Sequence, residues 1–502
     1  MILRNLFLLM TISVAICSCN RTTSISDKPN VVVIVADDFG WMDTGFQGSD
    51  FYETPNLDRL ASEGMVFTDG YASCGVCSPS RASLLTGRYT PRSGITDWIK
   101  GYQADKTPEE LSEYAMVGPQ NVYNLPLEET TLAEAVKTAN YKTCFVGKWH
   151  LGEDSLYYPQ YHGFDKNVAG WLRGGPSGDR KDQRSYYTPY NNPYLTDGPE
   201  GEFLTDRLVK ESISWMDENK KDPFLMYLSF YTVHTPIHPK PEKVPYYKEK
   251  AIKLGLDTVP HFYDKVPWME NWPKNKWHWK ERMVQSNAEY AALIESMDEN
   301  IGKVLDYLKA SGIDDNTIVV FTSDNGGLST AEGSPTCNAP LRGGKGWLYE
   351  GGIREPFLVK IPGKTKPGTV CSTPVHSVDV YPTILSACGI DVPNKNAVDG
   401  VNLLPLIEGS GLKRDALYWH YPHYGGKGDQ PAGAIRKGDY KLLELFETGE
   451  VQLFNLKKDI GETKDLSKEL PEIAEELLNE LRIWRTEVGA KMPTENPYYK
   501  FK

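Results

Sequence analysis

Several short blocks of this chain have the residue types of a reactive site. Asp37 and Asp38 stand side by side, Asp324 is followed by Asn325, and Gly147-Lys148-Trp149-His150 sets an ammonium and an imidazole two residues apart. His234 sits in Val233-His234-Thr235-Pro236, just past an apolar run. Hard oxygen donors without Cys or repeated His suit Ca2+ or Mg2+ better than Zn2+. Asp37, Asp38, Asp324 and Asn325 are therefore candidate ligands of one such cation. The sharpest block is Cys77-Ser78-Pro79-Ser80-Arg81-Ala82-Ser83-Leu84-Leu85-Thr86-Gly87. Pro79 suits the first turn of a helix, where its missing N–H costs nothing. Cys77 then sits at a helix N-terminus, which favours an anion, and Arg81 lies about one turn further on. Each Asp alone reads equally well as a cap or turn residue; it is the set that points to chemistry.

The edge of a parallel sheet would bring these blocks together, because ligands bind outside the carboxyl ends of its strands. Asn30 to Ala36 is Val- and Ile-rich without interruption, as expected for a strand buried on both faces, and it ends at Asp37. Thr143 to Val146 precedes Lys148, Phe224 to Phe230 precedes His234, and Thr317 to Thr322 precedes Asp324. Helices predicted at Asn56–Gly64, Thr131–Thr138, Thr205–Asn219 and about Ser286–Ala310 alternate with these strands, the pattern of βαβ units. Past Leu406 the pattern changes. Ala416–His420, Ala432–Arg436, Tyr440–Phe446 and Val451–Asn455 read as short antiparallel strands, and Pro471–Val488 as a helix. The expected fold is α/β, a large mostly parallel or mixed central sheet flanked by helices, with a smaller C-terminal α+β subdomain carrying an antiparallel sheet. The expected division is a catalytic domain over 28–410 and the subdomain over 411–502.

Composition narrows the partners. With 55 basic and 67 acidic residues the net charge is −12, which excludes a general nucleic-acid binder, since phosphate neutralisation needs clustered Lys and Arg. Residues 1–18 read as a secretory signal: Arg4 precedes an apolar run, Leu6 to Ile16, too short to span a membrane. Its end, Ile16-Cys17-Ser18-Cys19, resembles a bacterial lipobox with Cys19 as the lipid-bearing residue. The expectation is an exported protein of the bacterial periplasm or cell surface, touching membrane only through that anchor. Six further cysteines are scattered over the chain and make no disulfide framework. Stretches 160–200 and 239–280 are long and aperiodic, the second with Trp268, Trp272, Trp277 and Trp279. Loops of that length are commonly functional, and their aromatic content fits equally a sugar-facing surface or pins to the body.

With these residues in place, the sequence resembles a type I sulfatase of the alkaline-phosphatase-like superfamily. Cys-x-Pro-Ser-Arg followed by Leu-Leu-Thr-Gly is that family's maturation signature, here Cys77 to Gly87. A second signature is close in Tyr141 to Gly152, with Asn140 where Gly is usual; Asn tolerates left-handed backbone. Pro340 to Arg354 resembles the family's sulfate-binding lysine region, around Lys345. The likeness runs from about Asn30 to Asp459.

The resemblance implies that a formylglycine-generating maturase oxidises Cys77 to formylglycine (3-oxoalanine), hydrated to a gem-diol. One hydroxyl, held on the metal, would attack sulfur; the second would release sulfate from the covalent sulfo-enzyme as the carbonyl re-forms. It further implies that Cys77 shares the metal site with Asp37, Asp38, Asp324 and Asn325, the oxygen count favouring Ca2+ over Mg2+. Arg81 and Lys148 would steady the diol, His150 would take the proton that drives sulfate release, and His234 with Lys345 would hold the sulfate and protonate the leaving oxygen. The loop Ser334 to Asn338 resembles bacterial carbohydrate sulfatases, including those acting on galactose or N-acetylgalactosamine 4-O-sulfate. Lys345, His238, Asn338, Arg173, Arg180 and His423 are the candidate substrate-binding residues, with His420 beside them. Two alternatives stay open: a phosphate or phosphonate ester hydrolase of the same fold, and an unmatured, non-catalytic glycan-binding lipoprotein. A two-metal phosphatase needs further His and Asp ligands, and few spare His occur in these blocks.

Overall fold

The computed structural model describes residues 28–101, 103, 105–176, 186–264, 266, 280–393 and 398–501. The signal segment, Cys19, Arg180 and Trp268, Trp272, Trp277 and Trp279 lie outside the described residues.

Nine strands form the central sheet: β1 (Asn30–Ala36), β2 (Met65–Tyr71), β3 (Lys142–Gly147), β4 (Lys166–Val168), β5 (Phe224–Ser229), β6 (Thr317–Ser323), β7 (Arg354–Lys360), β8 (Thr369–Cys371) and β9 (Val375–His376). Their order is β9-β2-β7-β6-β1-β5-β3-β4, with β8 also paired to β2. All run parallel except β7, which is antiparallel to both β2 and β6. β1 lies at the centre, Val31 opposite Leu225 on one side and Ile318 on the other. Its β-branched side chains alternate between two cores. Val32, Ile34 and Ala36 face one, and Val31, Val33 and Val35 the other. Every one is fully buried, so truncating Ile34 to Ala costs about 2–5 kcal/mol.

Helices α1 (Pro55–Glu63), α4 (Leu204–Asn219), α5 (Val244–Lys253) and α6 (Ala288–Ala310) close the first core. Helices α2 (Cys77–Thr86), α3 (Leu132–Lys137) and α7 (Val380–Ala387) close the second. Sequence-level caps hold these helices in place. Thr131 and Glu134 form a reciprocal capping box at α3, and the Asn287 side chain accepts from the backbone N–H groups of Glu289 and Tyr290 at α6. Asp298, on α6, accepts from the N–H groups of Asn56 and Leu57, so one helix caps another.

A second sheet, antiparallel, has strands β10 (Ala416–Tyr421), β11 (Ala432–Lys437), β12 (Tyr440–Leu445) and β13 (Val451–Asn455) in sequential order. Helix α8 (Pro471–Glu487) packs Leu477, Leu481 and Trp484 on one face. The other face, with Trp419 and Phe454, packs against Tyr71, Trp347 and Tyr349, beside the start of β7. The reversed strand matters for the site. Because β7 begins at the edge where its parallel neighbours end, the loop before it reaches the same edge as Asp37, Lys148 and Asp324.

Candidate active site

Each strand end places its side chain by a local device. Asp38 takes a left-handed backbone, φ 58°, which Asp tolerates. Its N–H then donates to Asp324 Oδ1 at 3.1 Å, joining the ends of β1 and β6. Gly147 closes β3 with φ 103°. A Cβ there would stand 1.8 Å from the Ser229 carbonyl oxygen; without one, the Lys148 N–H reaches that oxygen at 2.8 Å. Asn140, before β3, also has positive φ, 61°, the geometry for which Gly or Asn is suited. Helix α2 begins at Cys77 after the extended Val76.

These devices bring nine of the expected residues to one point. Cys77 Sγ lies 3.7 Å from Asp37 Oδ1 and 3.9 Å from Asp38 Oδ1. Lys148 Nζ donates to both oxygens of Asp37 at 2.8 Å. Arg81 grips Asp324 through Nε at 2.8 Å and Nη2 at 2.7 Å, while Nη1 donates to Ser229 Oγ and to the Lys148 carbonyl oxygen. Lys345 Nζ donates to Asp38 Oδ2 at 2.7 Å and stands 3.1 Å from His234 Nε2. Asn325 Nδ2 donates to Asp38 Oδ1 at 2.9 Å. His234 Nδ1 meets the Thr235 carbonyl oxygen at 2.6 Å, so its proton belongs on Nδ1 and Nε2 accepts from Lys345. Ser229 was not anticipated; as the last residue of β5 it could have been found by the same strand-end rule that found the others.

Burial sets the protonation states. Three buried carboxylates face three buried cations. Burial pushes Asp38 upward, but Lys345, His234 and Lys148 outweigh it and hold its carboxyl far below the usual range. Burial also opposes ionisation of Asp324, and Arg81 with Lys148 outweighs it. Asp37 is pushed up to about 8 by burial, aided by the charges of Asp324 and Asp38 and opposed by Lys148. Carboxylates crowded in this way suit a divalent cation, whose charge favours all the ionised forms. Burial pushes the Cys77 thiol up to about 12, with Asp324 adding to it, so it stays protonated despite its helix N-terminus. Burial, reinforced by the charges of Lys148 and Arg81, holds the His150 imidazole well below its ordinary range and therefore neutral.

The donor set fits a hard cation. Asn325 Oδ1 is buried without a hydrogen-bond partner among the described residues. Asp324 has one oxygen on the Asp38 N–H and one on Arg81, and each carboxylate oxygen retains a second lone pair. With Asp37 and Asp38 this is an all-oxygen set of the kind Ca2+ and Mg2+ take. A thiol at position 77 is the poor member of that set, and an oxygen there would match it. Ligand atoms of Asp37, Asp38, Cys77 and His234 lie within 4.8 Å of one another. Among the described residues this is the one group of three or more His, Cys or carboxylate ligands so close.

The expected substrate residues divide. Lys345 is in the site. His238 lines an open cavity of about 800 Å3 with Tyr187, Ile237 and Glu289. Arg173 is exposed, its guanidinium over the Trp171 ring. Asn338 and His423 are buried and bonded within the protein. Asn338 is buried and its Nδ2 donates to the carbonyl oxygens of Gly327, Gly343 and Gly351, tying together the loop that carries Lys345. His423 is buried with Nε2 2.8 Å from Thr96 Oγ1. His420 is buried against the Phe446 ring and bonded to the Lys491 carbonyl oxygen.

The Sulfatase family model matches residues 29–390, and the model for the C-terminal region of N-sulphoglucosamine sulphohydrolase matches 344–487. The chain is 31% identical to a sulfatase of Formosa agariphila over 98% of its own length and 96% of that protein. It is 31% identical to human N-acetylgalactosamine-6-sulfatase over 78% of its length and 68% of that enzyme. Among solved structures it is similar to Ps i-CgsB in complex with k-i-k-neocarrahexaose, at 29% identity and a TM-score of 0.72, covering 95% of each chain.

Proposed function

The chain belongs to the sulfatase family of sulfuric ester hydrolases, and on that premise we propose that it removes a sulfate monoester from a carbohydrate, a galactose or N-acetylgalactosamine 4-O-sulfate of a glycan. The observation that carries this reading is the convergence of Cys77, three carboxylates and three cations at one buried point. A sugar sulfate is supported by the name of the human relative and by the oligosaccharide bound to Ps i-CgsB.

In this reading a maturase converts Cys77 to formylglycine, whose hydrated aldehyde supplies the attacking oxygen that a protonated thiol does not. Asp37, Asp38, Asp324 and Asn325 hold a Ca2+, which when bound lowers the pKa of a neighbouring oxygen and offsets the ester's charge. Lys345 and Lys148 bind the anionic group and orient its sulfur toward residue 77. These fixed, buried charges need no reorganisation as charge builds on the sulfuryl oxygens, the kind of electrostatic contribution that is commonly the largest. His150, neutral through burial, accepts a proton at Nδ1, which has no hydrogen-bond partner among the described residues. The leaving sugar oxygen takes its proton from the Lys345–His234 pair, whose Nζ and Nε2 stand 3.1 Å apart, general-acid work worth about 10²–10⁴-fold. Residues 1–18 direct export, with Cys19 as the lipid anchor.

The experiment is a screen of 4-O- and 6-O-sulfated galactose and N-acetylgalactosamine, free and in oligosaccharides, with desulfation followed by mass. Phosphate esters run in parallel. Turnover of a 4-O-sulfate is expected; turnover confined to phosphate esters refutes the proposal, and turnover confined to 6-O-sulfates refutes the position.

A further inference from the structure

We propose that Lys441, on strand β12 of the C-terminal sheet, positions Lys345 in the active site, so that this second sheet is part of the machinery that binds the ester. The inference rests on the reading that Lys345 holds the anionic group. Lys441 is fully buried, its Nζ 2.9 Å from Glu350 Oε1 and 2.9 Å from Glu462 Oε1, and both carboxylates are also fully buried. It touches no residue of the catalytic cluster. What it holds is the segment 342–350. Glu462 accepts from the Glu350 N–H at 2.7 Å, and its backbone carbonyl accepts from Arg342 at 2.8 Å. Arg342 lies over the Tyr349 ring at 3.9 Å, and the Tyr349 hydroxyl donates to Gln452 of β13. Both ends of the segment are thus tied to the C-terminal sheet and the turn that follows it.

The middle of the segment faces the chemistry. The Lys345 N–H donates to the Gly327 carbonyl oxygen at 3.1 Å. The Gly346 N–H donates to the Gly75 carbonyl oxygen at 2.7 Å, two residues before Cys77. Between these anchors the Lys345 ammonium reaches Asp38 and His234. Glu350 completes the lock from the other side, accepting from the Tyr71 hydroxyl and from Arg354 at the start of β7. Burial opposes the charge on Glu350, and Lys441, with Arg354 and Arg436, outweighs it, holding that carboxyl down to about 2. Removing Lys441 takes the cation from the buried Glu462 and leaves Glu350 to Arg354, so two buried carboxylates lose the charge between them and the segment has to move to relieve them.

The test is a double-mutant cycle on the full chain, with inorganic sulfate as the probe and its affinity measured by titration calorimetry. A displacement of an ångström at a positioning group costs up to about 100-fold. Lys345→Met and Lys441→Met are each expected to weaken sulfate binding by about tenfold or more, and the double variant to lose little beyond either single one. A folded Lys441→Met that binds sulfate like the wild type, or losses that simply add, overturns the inference while leaving the site reading intact. Equal sulfate affinity in wild type and Lys345→Met overturns the site reading, and this inference with it. Should Lys441→Met not fold, the cycle is run on Lys441→Arg, which keeps the charge but not the shape of the ammonium. Coupling to Lys345→Met is expected there too, and strict additivity overturns the proposal.

Discussion

Asp38→Asn separates the cation from the fold. Asn occupies the left-handed region as readily as Asp, so φ 58° imposes no new strain. The side chain keeps an oxygen for Asn325 Nδ2 and loses both the charge and the acceptor for Lys345 Nζ, 2.7 Å away in the wild type, since an amide NH2 takes that place. With a cation bound and Asp37 ionised, the charges of Asp37, Asp38 and Asp324 balance those of Arg81, Lys148 and Lys345. The substitution leaves one positive charge in excess and removes a charged ligand, a change that moves Ca2+ constants by orders of magnitude. Ca2+ at about 100 times its dissociation constant stabilises a folded protein by about 2.7 kcal/mol. With about 2.1 cal/mol/K of unfolding entropy per residue, a chain of 502 residues shifts by roughly 3 °C. A site weakened about 100-fold gains only about 0.4 kcal/mol at the same concentration, a shift under about 1 °C. The assay is thermal unfolding after chelation, with and without added Ca2+. An Asp38→Asn protein that responds to Ca2+ as the wild type does would refute the ligand assignment.

Other expectations follow from the same structure. His162 is fully buried beside Trp149, both ring nitrogens without a hydrogen-bond partner among the described residues, and burial pushes its imidazole down to about 4. Its folded pKa lies below the unfolded value of about 6.5, so the unfolded chain binds more protons between those limits. Stability is therefore intact above pH 6.5 and falls by up to about 3 kcal/mol as pH drops toward 4. His162→Phe should flatten that dependence by about one proton in denaturant unfolding from pH 4.5 to 8; an unchanged slope contradicts the assignment. Asn140→Ala should destabilise by about 1–2 kcal/mol because Ala resists positive φ, whereas Asn140→Gly should leave the midpoint nearly unmoved. Cys77→Ala and His234→Ala should abolish desulfation while leaving circular dichroism unchanged, and full activity in Cys77→Ala refutes the nucleophile.

The central strands were legible because burial on both faces leaves an unbroken apolar run, and the reactive residues sit one step past each run. Asn30–Ala36 and Thr317–Thr322 were readable for that reason, and with them Asp37, Asp38, Asp324 and Asn325. β2 and β7 were not. Arg354-Glu-Pro-Phe-Leu-Val-Lys opens on two charges and a proline, and only tertiary partners such as Asp69, which pairs with Arg354, make it a strand. The reversal of β7, which delivers Lys345, has no local signal, and the resemblance alone pointed to that lysine. Asn338 and His423 look like surface residues of Gly- and Tyr-rich loops; their burial comes from long-range packing that no window of sequence encodes. The ion pairs of Lys441 join residues far apart in the chain and were likewise invisible.

The most direct measurement is the fraction of residue 77 converted to aldehyde, read from the mass of its peptide, against specific activity. Preparations would be made with and without co-expressed maturase. The account predicts a peptide that has exchanged sulfur for oxygen and lost two hydrogens, with desulfation rising in proportion to the converted fraction. Full turnover by protein whose residue 77 is unmodified cysteine would contradict it.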